Sequence, residues 1–244
     1  MTAAESYGAF AYAYDQALGQ RYFRAVRRLL AEVLQRYPAA GKTHLDVACG
    51  TGLAIPFFES RGFVSAGVDL STVMLRVARS RAARLIAGDT RALPLRGAFS
   101  RITCLYDSLN HLLEPSDLAL AFGEIARVMD DRSQFLFDMN HPEIYPEVWG
   151  MKEPFVDEGP DFHLEIATTY RSREKLGRAL VTGWAIVRGE RVVIRERHTQ
   201  RCYERDEIIA ALAAGGLEPV EEHEFDPWFE GRTVKLFFVC KKKA

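Results

Sequence analysis

A chain of 244 residues is long enough for one large α/β domain with a small appended lobe. Apolar residues make up 48% and charged residues 27%, and a formal net charge of −1 gives no global pull toward nucleic acid or an anionic membrane. Met1 to Tyr7 lacks a basic stretch followed by an apolar run, and no apolar stretch approaches bilayer-spanning length, so neither a signal peptide nor a membrane segment is expected.

Residues 5 to 20 carry Tyr7, Phe10, Tyr12 and Tyr14 among glycines and alanines, a pattern that suits a helix packing its rings on the core. Tyr22, Phe23, Val26, Leu29, Leu30, Val33, Leu34 and Tyr37 then recur at helical spacing. They predict an amphipathic helix that Pro38 stops, with Arg24, Arg27 and Arg28 on its solvated face.

The chain is organised around His44 to Gly52. Leu45 and Val47 end a buried strand, the chain turns on Gly50 and Gly52, and a helix begins near Leu53. Such a turn brings backbone close to a ligand and aims unpaired helix N–H groups at it. The third glycine of the dinucleotide fingerprint falls at Ile55, so that fingerprint is incomplete. Asp46 precedes the loop, where a carboxylate repels a pyrophosphate but suits a cationic amine. Val64 to Leu70 reads as a second strand, placing Asp69 17 residues after Gly52, where it can accept both hydroxyls of a ribose. A ribose, a positive charge and no phosphate are together met by S-adenosylmethionine.

Strands near 44–48, 63–68, 84–87, 101–105 and 134–139 alternate with helices near 53–60, 72–83 and 116–129, with Ser71 and Ser116 as N-caps. Right-handed crossovers then align Gly50, Asp69, Asp89 and Tyr106 along one sheet edge. Beyond Asn140, prolines 142, 146, 154 and 160 mark a loop-rich segment. His163–Tyr170, Ala179–Val187 and Val192–Tyr203, with a turn at Gly189-Glu190, predict an inserted antiparallel lobe. A helix over Glu204–Ala214, stopped by Gly215-Gly216, precedes two last strands, Leu217–Phe225 and Thr233–Cys240. The expected architecture is a Rossmann-like, doubly wound, mostly parallel seven-stranded sheet with a small inserted antiparallel β lobe. Residues 1–38 form an N-terminal helical segment, 39–149 and 204–244 the cofactor-binding domain, and 150–203 the lobe. Four cysteines without a Cys-x-x-Cys pair suit free thiols in a reducing cytoplasm, and six histidines without ligand spacing argue against a metal.

Over roughly residues 40 to 140 the chain resembles the class I S-adenosylmethionine-dependent methyltransferases, in particular a bacterial subgroup acting on amines and sugars. Asp46-Val47-Ala48-Cys49-Gly50-Thr51-Gly52 is similar to the family's first motif, which cradles the methionine part of the cofactor. Asp69-Leu70-Ser71, with Met74, resembles the second, where the acid holds the ribose. Ala87-Gly88-Asp89-Thr90 resembles the third, where Asp89 meets the adenine amino group, and Tyr106 to His111 resembles the fourth-strand motif. Phe99-Ser100-Arg101 and Met129 to Ser133 depart from the family pattern in loops that do not normally touch cofactor. The resemblance makes residues 1–38 a lid, with the pair Tyr14-Asp15, over a sulfonium that an aromatic ring attracts.

Methyl transfer is an in-line displacement that asks the protein mainly for positioning and exclusion of water. The catalytic candidates are His111, Tyr14 and Tyr106; His111 serves either as a base or as a partner of a loop carbonyl. Asp107 and Asn110 either face the acceptor or cap the following turn, while Asp138, Asn140 and His141 are expected at the pocket mouth. The implied activity is methyl transfer from S-adenosylmethionine to a small-molecule acceptor at N or O, without nucleic acid, in a chain able to dimerise through the lobe. A cofactor-binding protein without catalysis is a second reading. A nicotinamide-dependent oxidoreductase is a third, opposed by Ile55, Asp46 and the lack of a Tyr-x-x-x-Lys pair.

Overall fold

The computed structural model describes residues 7–227 and 234–243. At its centre, β1 (Thr43–Val47) is buried from His44 onward, as expected of a parallel strand covered on both faces. The N-terminal helix α1 (Phe10–Tyr14) passes through a π-helical turn, Asp15–Gly19, into α2 (Gln20–Arg36). Glycine is required in that turn: a Cβ on Gly19 would lie 2.8 Å from Leu53 and 2.9 Å from the Tyr14 ring. After β1 the chain alternates α3 (Ile55–Glu59), β2 (Val64–Asp69), α4 (Thr72–Ala78), β3 (Leu85–Ala87), β4 (Arg101–Cys104), α5 (Pro115–Arg127) and β5 (Gln134–Asn140). There follow α6 (Ile144–Glu147), β6 (Phe155–Gly159), β7 (Phe162–Arg171), β8 (Leu176–Val187), β9 (Glu190–Arg201), α7 (Arg205–Ala214), β10 (Leu217–Phe225) and β11 (Lys235–Lys242).

The main sheet has the order β10-β11-β5-β4-β1-β2-β3, with β11 antiparallel to both of its neighbours and the remaining pairs parallel. From β1 the chain winds outward through β2 and β3, then returns to place β4 on the other side of β1. The β1/β4 boundary is therefore a topological switch point, and the crevice beyond its carboxyl ends is where such sheets bind ligands. One face is sealed by stacked rings: Phe135 and Phe238 each lie 4.9 Å from Phe137. Each such buried ring contributes roughly 1.5–3 kcal/mol. On the other face α2 buries Tyr22, Val26, Leu30 and Val33 against Leu136, Phe237 and Val239.

The second sheet is antiparallel, β6-β7-β8-β9. Its inner face packs Phe162, Leu164, Val181, Ala185 and Ile194 on Phe10, Ala13 and Ala17, so the N-terminal segment is sandwiched between this sheet and the main one.

Several boundaries differ from expectation. β6 has no counterpart among the expected strands: it is an edge strand with one buried residue, between Pro154 and Pro160, so it carries no alternating apolar signal. The β8–β9 turn lies at Arg188-Gly189 rather than Gly189-Glu190, both in the left-handed region (φ 54° and 85°), the pairing a two-residue hairpin needs. Ser71 caps α4 by accepting from Met74 N–H, but Ser116 caps nothing, because Pro115 opens α5 and Glu114 takes the cap position. The helix expected over 72–83 ends at Ala78. Thr233, residues 1–6 of the expected lid segment and Ala244 lie outside the described residues. Among the described residues no helix is long and apolar enough to cross a membrane, and no cluster of three or more His, Cys, Asp or Glu could hold a metal.

Candidate functional site

A cavity of about 590 Å³ opens at the carboxyl ends of β1, β2 and β4, roofed by the N-terminal segment. Its floor is a loop of unusual backbone: Ala48, Gly50 and Gly52 have φ of 52°, 53° and 76°. The left-handed region strains an alanine and is free to glycine. The loop is pinned by Cys49 N–H to Val68 O at 3.0 Å and Gly52 N–H to Cys49 O at 2.8 Å. Nothing lies within 4 Å of a Cβ placed on Gly50, which faces open cavity, whereas on Gly67 it would meet Cys49 Sγ at 2.7 Å.

Asp69, at the end of β2, accepts from Gly50 N–H and from Ser71 N–H, each at 2.7 Å. It thereby locks the first loop to the second, while each oxygen keeps a lone pair for a ligand hydroxyl. Burial pushes its carboxyl up, and the two backbone donors oppose that. Asp46 is more deeply buried; desolvation raises it to about 7, against a hydrogen bond from Thr103 and with a further push from Asp69. Asp89 is held below the usual carboxylate range, chiefly by the Arg91 guanidinium, which also pairs with Asp117 at 2.7 Å.

Of the residues expected to touch cofactor, Asp46, Ala48, Cys49, Gly50, Asp69, Leu70, Ser71, Met74, Asp89, Thr90 and Tyr106 line this cavity. Gly52 and Gly88 do not. Gly52 serves the turn beneath it, against Ala78, and Gly88 is a glycine because Pro94 would lie 2.7 Å from a Cβ there.

The opposite wall is formed by Tyr7, Tyr14, Tyr106, His111, Arg197 and Thr199. Tyr14 meets Tyr7 and Tyr106 edge-on at 6.0 and 5.6 Å, giving a cluster of rings suited to a cation. Burial keeps all three phenols protonated. His111 is fixed by geometry: the Thr199 carbonyl at 3.1 Å only accepts, so Nδ1 carries the proton. Nε2 then accepts from the Tyr7 hydroxyl at 3.2 Å. Burial lowers this imidazole to about 4, so it is neutral at pH 7.

Tyr106 and Asp107 are consecutive non-glycine residues in the left-handed region (φ 62° and 49°), a strain that the surroundings must hold in place. Asp138 holds it. One oxygen accepts from Tyr106 N–H at 2.6 Å and from the Tyr22 hydroxyl at 2.5 Å; the other accepts from Asp107 N–H at 3.0 Å. Buried Lys235 neutralises this pocket, pairing with Asp107, lying 3.6 Å from Asp138 and donating to Asn140 at 2.8 Å. Asp138 and Asn140 are thus buried supports rather than groups at the pocket mouth, and His141 does not line the cavity. Asn110 donates to Arg201 O and accepts from Asn140 N–H, tying loop to lobe.

The N-terminal segment is fastened at two places. Asp15 accepts from the Thr51 hydroxyl and pairs with Arg81 at 2.6 Å, joining the π-helical turn to the glycine loop. Glu196 on β9 accepts from Phe10 N–H at 2.9 Å, and the His198 ring packs 4.5 Å from Tyr7. Lys235, Glu196 and His198 are not among the residues that the sequence singles out. The inward run Glu196, His198, Gln200, polar where an apolar face is usual, was the available signal.

The lining suits the cofactor that the sequence suggests. Three carboxylates stand at consecutive strand ends, and Arg91, the guanidinium beside them, is engaged by Asp89 and Asp117. That array attracts an ammonium or sulfonium and accepts from hydroxyls, and it repels a pyrophosphate. Ile55, fully buried in α3, fills the place of the third fingerprint glycine.

Sheet order, glycine loop and strand-end acids define a Rossmann-like fold of the class I methyltransferase type. A model described as a methyltransferase domain matches residues 45–132. The chain is 36% identical over 124 residues to the dTDP-3-amino-3,6-dideoxy-alpha-D-glucopyranose N,N-dimethyltransferase of Streptomyces fradiae, covering 49% of this chain and 48% of that protein. It is 30% identical over 141 residues to the dTDP-3-amino-3,4,6-trideoxy-alpha-D-glucopyranose N,N-dimethyltransferase of Streptomyces venezuelae, covering 57% and 55%. The chain therefore spans about half the length of these curated relatives. The solved structure of an S-adenosylmethionine-dependent methyltransferase from Clostridium acetobutylicum ATCC 824 shares the fold, with a TM-score of 0.81 at 22% identity over 96% of this chain and 98% of that one. The chain is thus similar to the class I S-adenosylmethionine-dependent methyltransferases in fold and, over residues 45–132, in sequence.

Proposed function

We propose that the protein transfers a methyl group from S-adenosylmethionine to an amine of a small molecule. The observation that carries this is the row of strand-end carboxylates, Asp46, Asp69 and Asp89, around a glycine loop at the switch point of the sheet. When bound, the cofactor supplies an activated methyl group on a sulfonium. Asp69 holds its ribose hydroxyls, Asp46 faces its ammonium, and Asp89 with Thr90 lies at the adenine end. Tyr14 and Tyr106 supply ring faces beside the positive sulfur and exclude water from it.

Residues 7–38 act as the lid of this site and residues 150–203 as the acceptor lobe, which meet at Tyr7, His111 and Thr199. His111 Nε2, unprotonated, orients an incoming N–H through Tyr7; at about 4 it is too weak a base to strip an ammonium, so the acceptor enters as the free amine. An amino group is favoured over a hydroxyl because an amine nucleophile needs no strong base, and the two Streptomyces relatives are named for amino-sugar N,N-dimethylation. The outer face of the lobe bears Ile186 and Val193, 36% and 74% exposed, a surface suited to a homodimer. Four free thiols suit the cytoplasm as the setting. The test is transfer of labelled methyl from S-adenosylmethionine to dTDP-3-amino-3,6-dideoxyglucose and to simple amino sugars. Transfer to an amine and none to matched hydroxy sugars supports the reading; transfer to the hydroxyl alone overturns it.

A further inference from the structure

Behind the cavity floor lies a chain of buried hydrogen bonds that ends on a cavity carboxylate. Ser65 on β2 stands opposite His44 on β1, Thr103 on β4 stands opposite Asp46 two residues further along β1, and Ser65, His44 and Thr103 are all buried. His44 Nδ1 lies 3.1 Å from Ser65 Oγ, His44 Nε2 2.9 Å from Thr103 Oγ1, and Thr103 Oγ1 2.6 Å from Asp46 Oδ1. None of the first three lines the cavity; Asp46 does.

Proton counting fixes the direction. An ionised carboxylate only accepts, so Thr103 gives its single hydroxyl proton to Asp46. Its oxygen is then free to accept, and the His44 Nε2–H points at it. That leaves His44 Nδ1 bare, to accept from Ser65. The ring is clamped against Phe58, centroids 3.7 Å apart and nearly parallel, so it cannot flip without unpacking the core. Burial, assisted by Arg101, holds His44 down at about 3, so it stays neutral and keeps this single tautomer across the physiological range. Every donor points toward Asp46, and aligned hydrogen bonds reinforce one another in a low dielectric.

We infer that His44 and Thr103 are positioning residues for cofactor binding: they aim and hold the Asp46 carboxylate in the charged form that an ammonium requires. The inference rests on the proposed cofactor site. Its physical need is plain, because the other groups facing Asp46 work against its charge. Asp69 from the end of β2 is a like charge, and the Cys49 and Cys104 thiols are buried neutral groups. Among these neighbours, Thr103 supplies the donor. Cofactor affinity accordingly rises with pH as Asp46 ionises, through about 7, and levels off above it.

The experiment is calorimetric titration with S-adenosylhomocysteine from pH 5.5 to 8.5 on the wild type and on Thr103→Val and Thr103→Ser. Thr103→Val removes the donor at nearly constant volume. The midpoint of its affinity–pH curve moves up by about one unit, with affinity at pH 7 down roughly five- to tenfold, one unit being a tenfold change in the ionisation equilibrium. Thr103→Ser keeps the hydroxyl and returns the midpoint to the wild-type value. A merely structural role would lower affinity equally at every pH. A folded Thr103→Val with the wild-type midpoint overturns the inference. Should Thr103→Val fail to fold, His44→Phe keeps a ring on Phe58 and removes the Nε2–H; it must move the midpoint in the same direction by a smaller amount, and an unmoved midpoint is equally fatal. Wild-type protein that binds no S-adenosylhomocysteine at any pH fails the cofactor reading instead.

Discussion

The two walls of the cavity are built on different principles. The wall proposed to hold the cofactor is built from loops of a few residues at the ends of β1, β2 and β3, held by backbone turns and tied to one another by Asp69, which accepts from Ser71 N–H and from Gly50 N–H. The opposite wall, proposed to meet the acceptor, is assembled from segments far apart in the chain. Tyr7 meets His111, His111 meets Thr199, and Phe10 meets Glu196 across 186 positions. A wall of short loops pinned to adjacent strand ends tolerates change elsewhere in the chain. A long-range wall fails when any one contributor moves, and it is the natural place for acceptor choice to vary.

That contrast sets the expected effects. The largest belongs to Asp69→Ala, which strips an acceptor from two backbone donors and from the cofactor ribose; S-adenosylhomocysteine affinity should fall roughly a hundredfold, each charged hydrogen bond being worth about 1.5–3 kcal/mol. Unchanged affinity would break the assignment of the cofactor wall.

Asp46→Asn comes next and separates binding from stability. Its folded carboxyl is raised from an ordinary value near 4 to about 7, so the folded protein holds that proton more tightly than the unfolded chain. The wild type is then destabilised as pH rises from about 4 to about 7 and carries the full penalty above it. Asp46→Asn removes the charge, so at pH 8 the ligand-free variant should melt several degrees above wild type while binding S-adenosylhomocysteine about tenfold more weakly. A lower melting temperature at pH 8 would show that the ionised carboxylate is not a burden to the fold.

On the acceptor wall, Glu196→Ala releases the start of α1. Limited proteolysis should cut sooner between residues 7 and 20, with S-adenosylhomocysteine affinity changing by no more than about fivefold, since the loss of one such hydrogen bond is worth about 1 kcal/mol. A hundredfold loss would mean that the two walls are not separable. The smallest effect on cofactor affinity is expected for Tyr7→Phe, which deletes one hydroxyl facing His111. Its binding curve should overlay the wild type, while turnover of an amine acceptor falls.

The same contrast explains what could be read from sequence. Of the positions that motif order singled out, Asp46, Gly50, Asp69 and Asp89 come together on one cavity, because they are strand-end positions whose backbone demands leave a mark in composition. Gly52 and Gly88 lie outside that lining, where turn geometry and Pro94 account for a glycine. The mostly parallel seven-stranded sheet was legible in the alternation of strands and helices, while its strand order came from the structure. The acceptor wall was legible in pieces only. Tyr14, Tyr106 and His111 were found, yet Lys235, Glu196 and His198 lie in strands whose register fixes their partners, and register is not written in a single strand. β6 was invisible for a related reason: an edge strand with one buried side chain has no pattern to show.

The central claim is that this cavity holds S-adenosylmethionine through strand-end carboxylates. Its most direct test is calorimetric titration of the wild-type protein at pH 8 with S-adenosylhomocysteine, with NADH as the control. The account predicts micromolar binding of S-adenosylhomocysteine and none of NADH, because the same acids that welcome an ammonium repel a pyrophosphate. Binding of NADH, or of neither ligand, would contradict it.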